Sequence, residues 1–311
     1  MICSYVGISI FICFSFAPCY MTFVESIDAS GNPGMLKKNT TLFRHVPYQF
    51  SQIQDEGSNI ISHYSMRHTY PGKFYGLRAE ISVWGSPNQK YSQESGASIQ
   101  IYCQDGGHYN LVEVGFHISP SLYHNTDVRF FTYWTLSKDT KLAGCYNMQC
   151  PGFVPTSGAS LWPGQAVTPL SRYGEYDRYA RLSLNKDPNS GNWVVYRHDL
   201  ETPSFLGYFP VDLCPKMPLI QALTGFVSYF NNTEGPPMGS GHFPDEQYDD
   251  KTTAYFKHVK KYDSKGHATD PITTSMIPLV DKPECYNETD FFPDFHKGYS
   301  FHYGGPSGCI G

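Results

Sequence analysis

The stretch Asn110-Leu111-Val112-Glu113-Val114-Gly115-Phe116-His117 decides how this chain is read. Val112, Val114 and Phe116 fall on one side; Leu111, Glu113, Gly115 and His117 fall on the other. Period two is the pattern of a β-strand with one face on a core. The Val/Phe side is the core side, so Glu113 faces away from it. Working outward, Leu77, Ala79, Ile81 and Val83 alternate with Arg78, Glu80, Ser82 and Trp84. Similar runs follow at Ser98–Tyr102, Arg129–Thr135, Tyr179–Leu184, Asn192–Arg197, Phe205–Phe209, Gly225–Phe230 and Ala254–Val259. Turn signals separate them: Asp105-Gly106-Gly107, Pro188-Asn189-Ser190-Gly191 and Gly235-Pro236-Pro237. Short strands at such spacing predict an all-β, antiparallel sandwich or barrel. A short helix is expected around Pro215–Leu223, and no long one.

Composition agrees. The 311 residues include 28 Gly and 23 Pro spread along the chain, punctuation that long helices do not tolerate. A net charge of −5 leaves no basic footprint for nucleic acid. Val6–Phe16 is almost entirely apolar, too short to cross a bilayer but suited to the core of an export signal. Residues 1–24 are therefore read as a signal peptide, with cleavage between Ala17 and Ser30, although no Lys or Arg precedes the apolar run. Residues 25–72 are polar and aperiodic, a linker or vestigial pro-segment, and 73–311 form the folded domain. No other stretch is apolar enough for a membrane span.

Of nine cysteines, Cys3, Cys13 and Cys19 lie in or beside the leader. Cys103, Cys145, Cys150, Cys214, Cys285 and Cys309 remain, an even set behind an export signal, which favours disulfides. No CxxC pair, HExxH or His/Cys cluster suggests a metal, and no cofactor motif is present. Glycosylation sequons occur at Asn39, Asn231 and Asn287.

Two further pieces carry a family likeness: Phe131-Thr132-Tyr133-Trp134-Thr135, then Gly144-Cys145-Tyr146-Asn147-Met148-Gln149-Cys150-Pro151-Gly152-Phe153. Phe74-Tyr75-Gly76 precedes them. Lys186-Asp187-Pro188, Gly191-Asn192-Trp193, Gly207-Tyr208-Phe209-Pro210, Met238-Gly239-Ser240-Gly241-His242-Phe243 and Tyr303-Gly304-Gly305-Pro306 follow in order. Over roughly Lys73 to Cys309 the chain resembles the neprosin family, plant secreted proteins whose type member is a glutamic, proline-cleaving endopeptidase. The resemblance implies a β-sandwich with a cleft on a concave sheet face. It also implies disulfides Cys145–Cys150 and Cys285–Cys309. Cys103 and Cys214 lie where the family does not usually have cysteine; pairing and separate burial as thiols both stay open.

That family's chemistry needs two glutamates. One ionised carboxylate activates water; the other, kept protonated by its neighbour's charge, serves as the acid. The resemblance places Glu113 at the first position. The second lies in a Trp-Gly-Gly-Glu-Val run, matched here by Leu223-Thr224-Gly225-Phe226-Val227, so that Phe226 stands in place of the acid. No Asp or Glu occurs from Leu213 to Thr233. The expectation is a catalytically impaired relative that keeps a peptide-binding cleft. The alternative is an active peptidase in which Glu234, Asp245, Glu175 or another acid substitutes. A third reading is an extracellular carbohydrate- or peptide-binding module that uses the tyrosine wealth. His117, Tyr133, Trp134 and His242 are the candidate substrate-binding residues, although a Gly-supported turn with a packed His is the plainer reading of His242.

Overall fold

The computed structural model describes residues 59–105, 108–138, 141–215, 218–244 and 249–311. The leader, Asn39 and Asp245 lie outside the described residues. The strands in chain order are β1 (Ile60–Thr69), β2 (Gly76–Ser82), β3 (Glu94–Asp105), β4 (His108–Ile118), β5 (Arg129–Lys138), β6 (Lys141–Tyr146) and β7 (Val154–Pro155). Next come β8 (Tyr179–Lys186), β9 (Trp193–Arg197), β10 (Ser204–Phe209), β11 (Pro218–Phe230), β12 (Ala254–Tyr262) and β13 (Ala268–Thr269). The last are β14 (Met276–Val280), β15 (Asn287–Glu288), β16 (Phe292–Asp294) and β17 (Gly298–Gly304). The α-helical content of the described residues is one turn, α1 (Pro120–Tyr123).

These strands build two antiparallel sheets. A seven-stranded sheet runs β14-β1-β11-β3-β4-β5-β6. A ten-stranded sheet runs β15-β17-β12-β2-β8-β9-β10-β7, with β13 on β12 and β16 on β17. Between them lies one apolar core. The first sheet supplies Ile99, Ile101, Val112, Val114, Phe116, Phe130 and Leu223; the second supplies Leu77, Ile81, Leu182, Leu184, Val195, Leu206 and Phe256. This is an all-β sandwich, and β4 points Val112, Val114 and Phe116 into the core as its alternation requires.

Two local expectations change, and one choice left open is decided. The sandwich begins ahead of Lys73, because β1 pairs with both β11 and β14. Both faces of β1 are largely covered and both carry polar side chains, so the contrast that marks a half-buried strand is missing from Ile60–Thr69. The helix expected at Pro215–Leu223 is instead a 3-10 turn at Val211–Leu213 followed by β11. β11 lies between β1 and β3 and is buried on both faces; its near-continuous apolar run carries no period that tells strand from helix. Third, Cys103 pairs with Cys214, beside Cys145–Cys150 and Cys285–Cys309. No helix among the described residues is long and apolar enough to cross a membrane.

Candidate active site

The site is the face of the seven-stranded sheet that points away from the core. Strand register arranges it in rows. One row runs Ala222–Gln100–Glu113–Tyr133–Tyr146 across β11, β3, β4, β5 and β6. A second, four residues along, runs Phe226–Gly96–His117–Arg129. Glu113, Gln100 and Phe226 are all fully buried.

Glu113 meets a neutral amide. Gln100 donates from Nε2 to Glu113 Oε1 over 2.9 Å. Gln100 Oε1 accepts from Tyr102 OH at 2.9 Å and from Thr224 Oγ1 at 3.0 Å. Both lone pairs of that oxygen are thereby used, which turns the NH₂ end towards the carboxylate. Burial, and then the charge of Glu113, push the Tyr102 and Tyr133 hydroxyls well above their ordinary range. They stay protonated and act as fixed dipoles around the acid.

A second buried carboxylate lies on the same face. Glu94, at the start of β3, holds His117 Nδ1 at 2.7 Å. The other imidazole nitrogen, Nε2, is 2.8 Å from Tyr123 OH, which also accepts from Asn147 Nδ2 at 2.8 Å. Asn147 sits in the left-handed region at φ 53° and its Oδ1 accepts from the Thr132 N–H at 3.2 Å. The Gly-Cys-Tyr-Asn turn, closed by Cys145–Cys150, thus anchors the far end of a Glu94–His117–Tyr123 chain. Phe131 stacks on His117 with centroids 4.1 Å apart, and Phe226 meets Phe131 edge-on at 6.2 Å. Gly96 makes that packing possible: a Cβ there would lie 2.6 Å from the Phe226 ring tip and 2.8 Å from His117 Cβ.

Of the residues singled out from sequence, the fold brings Glu113, His117, Tyr133 and Phe226 to one face. Phe226 shares that face with Glu113 but not its row; four residues separate the rows, about 13 Å along a strand. Trp134 is corrected: it follows Tyr133 on β5, so alternation sends it into the core. His242 lies on an exposed loop, stacked on Tyr173 at 4.0 Å with Nδ1 3.2 Å from Ser240 O. Glu234, offered as a replacement acid, is exposed and paired with Lys90 at 3.2 Å. Glu175 is paired with Arg172, also 3.2 Å away, at the surface. Asn287 is exposed and Asn231 half-exposed. Sequence reasoning missed Gln100 and Glu94. The available signal was the polar row Ser98, Gln100, Tyr102 alternating with Ile99 and Ile101.

Chemically, a carboxylate such as that of Glu113 can act as a general base and an amide N–H such as that of Gln100 can donate to an oxyanion; both side chains are buried. Among the described residues no cluster of acidic, His and Cys side chains could hold a metal ion.

A family model described as Neprosin matches residues 91–306. A crystal structure of scytalido-glutamic peptidase with a transition state analog inhibitor is 10% identical, covers 78% of this chain and 98% of that chain, and gives a TM-score of 0.41. SCP-B, a member of the Eqolisin family of peptidases in a complex with a tripeptide, is 8% identical over 78% of this chain and 98% of its own, with a TM-score of 0.37.

Proposed function

The chain belongs to the neprosin family, and from that membership we propose that it is a secreted, peptide-binding relative of the glutamic prolyl endopeptidases whose turnover is impaired. The observation that carries this reading is the row containing Glu113. Its other members are Ile277, His68, Ala222, Gln100, Tyr133 and Tyr146, and the group that meets Glu113 across the ladder is the amide of Gln100. Two facing carboxyls divide into a base and an acid because like charges resist joint ionisation; a carboxylate and an amide do not. Phe226, where the family's second glutamate is expected, supplies no proton. Glu94 on the same face is held by His117. Loss of a general acid typically lowers rate about 10²–10⁴-fold. Export through the leader accords with three disulfides in the described residues.

One observation favours a second reading, an active proline-directed peptidase. Gln100 is oriented towards Glu113 by two hydrogen bonds on its oxygen. With that donor on the oxyanion, Glu113 takes a proton from water and then returns it to the leaving amine, filling both roles in turn.

The test is purified protein incubated with a proline-rich peptide from pH 2 to 7, with binding followed by calorimetry alongside cleavage. Binding without turnover supports impairment. Turnover abolished by both Glu113→Gln and Gln100→Ala establishes the second reading. Absence of both binding and cleavage refutes each.

A further inference from the structure

The outer face of the other sheet carries a groove unrelated to Glu113. Its walls come from β8, β9, β10 and the β12–β13 hairpin, and its volume is about 630 Å³. That falls within the ordinary range of small-ligand sites, about 300–1,000 Å³. We propose that this groove binds a neutral oligosaccharide, through the rings of Tyr196, Phe205, Tyr208 and Tyr262 and the side-chain amides of Asn185 and Asn192.

The backbone is shaped to gather those rings. Phe205 and Tyr208 are three residues apart on β10, and in a regular strand they would point to opposite faces. A bulge between Phe205 and Gly207, with Gly207 at φ +146°, absorbs one residue and brings both to the groove. Tyr196 lies beside Phe205 with centroids 5.0 Å apart. Tyr196, Phe205, Tyr208 and Tyr262 are each partly exposed. Flat apolar faces with polar tips match a sugar ring, whose C–H faces pack on aromatic rings while its hydroxyls turn to the edges.

The polar groups are oriented too. Asn185 Oδ1 accepts from Ser183 Oγ at 3.1 Å, and Asn192 Oδ1 accepts from the Val211 N–H at 3.0 Å. Each amide is thereby fixed by its oxygen, leaving the NH₂ as a donor for hydroxyl oxygens. The carboxylate and the ammonium of the lining, Asp187 and Lys265, are of opposite sign, which favours a ligand without net charge. The Asp187 carboxylate is already engaged by Ser190 Oγ at 2.5 Å and by the Ser190 N–H at 3.0 Å. Lys186 Nζ lies over the Trp193 ring at 5.6 Å. His198 is held uncharged to about pH 4 by burial and by Arg78 and Arg181. Lys265, at the exposed hairpin tip, is the cation of the rim. A proline-rich peptide is the competing occupant of an aromatic groove; two oriented amide donors beside the rings suit the several hydroxyl oxygens along the edge of a sugar ring.

The experiment titrates the full chain with cellopentaose, xylopentaose and mannopentaose, and separately with a hexaproline peptide, by calorimetry and by ligand-observed saturation-transfer NMR. We expect at least one oligosaccharide to bind, with tenfold or greater loss of affinity in Tyr208→Ala and in Tyr262→Ala. Glu113→Gln should leave that affinity unchanged, which separates this groove from the sheet face that carries Glu113. Because both tyrosines are partly exposed, their variants should melt within a few degrees of the parent; if one does not fold, the NMR contacts of the unmodified protein decide. No oligosaccharide signal at millimolar concentration overturns the proposal. So does sugar binding indifferent to both tyrosine variants, or hexaproline binding in place of sugar.

Discussion

Gln100 stands directly opposite Glu113 in the β3–β4 ladder, and its amide nitrogen is 2.9 Å from the carboxylate. The acid that sequence comparison marks as half of a pair therefore has a partner, and the partner is an amide. Gln100→Glu would place two carboxyls in that row. Like charges at that spacing raise one pKa and lower the other. We expect proline-directed cleavage to rise at least tenfold at acid pH, with a bell-shaped profile, measured as kcat against pH. No gain over the parent would show that the Gln100 row is not the reacting position.

Phe226→Glu tests the other position. The new carboxylate would lie across Gly96 from His117, about 13 Å along the strands from the Glu113 row. It would also lose the edge-on contact with Phe131 and bury a charge at a fully covered site. We expect a stability loss of about 3 kcal/mol or more by urea unfolding, and no cleavage. Cleavage restored here but not in Gln100→Glu would assign the missing acid to Phe226.

The disulfides differ in what they constrain. Cys103–Cys214 closes a separation of 111 residues, whereas Cys145–Cys150 closes 5. In the chain-entropy account the long loop contributes about 4–5 kcal/mol and the short one about 2. Replacing both cysteines of each pair by serine should therefore lower the melting temperature more for Cys103/Cys214. The Cys145/Cys150 variant should instead disturb the turn that holds Asn147, read as a change in the Tyr123 environment by near-ultraviolet circular dichroism.

His198 makes stability depend on pH. Its pKa is lowered from 6.5 to about 4, first by burial and then by Arg78 and Arg181, with Asp199 opposing. Between those values the unfolded chain binds the proton and the folded chain does not, so stability rises with pH through this window. The contribution is complete above pH 6.5 and is lost as pH falls towards 4. His198→Gln should flatten the melting-temperature profile over that interval. An unchanged slope would place the dependence elsewhere.

Much of this was legible along the chain. The alternation at Asn110–His117 showed which way Glu113 faces, because side-chain direction in a strand depends only on local backbone geometry. The same rule, had it been applied to Phe131-Thr132-Tyr133-Trp134, would have separated Tyr133 from Trp134. The even set of six cysteines implied bridges, and the family likeness named two of them.

What sequence could not decide is which side chains stand opposite one another. Gln100 is 13 residues from Glu113 and Phe226 is 113 away, yet both lie on its face and only Gln100 lies in its row. That choice depends on strand register. Register is set by whole ladders and by packing of the two sheets, since a slip of one residue would turn every core side chain outward. β1 and the first half of β11, residues 218–224, escaped recognition for a related reason. Burial on both faces removes the contrast between inside and outside, and only their neighbours in the folded sheet make them strands.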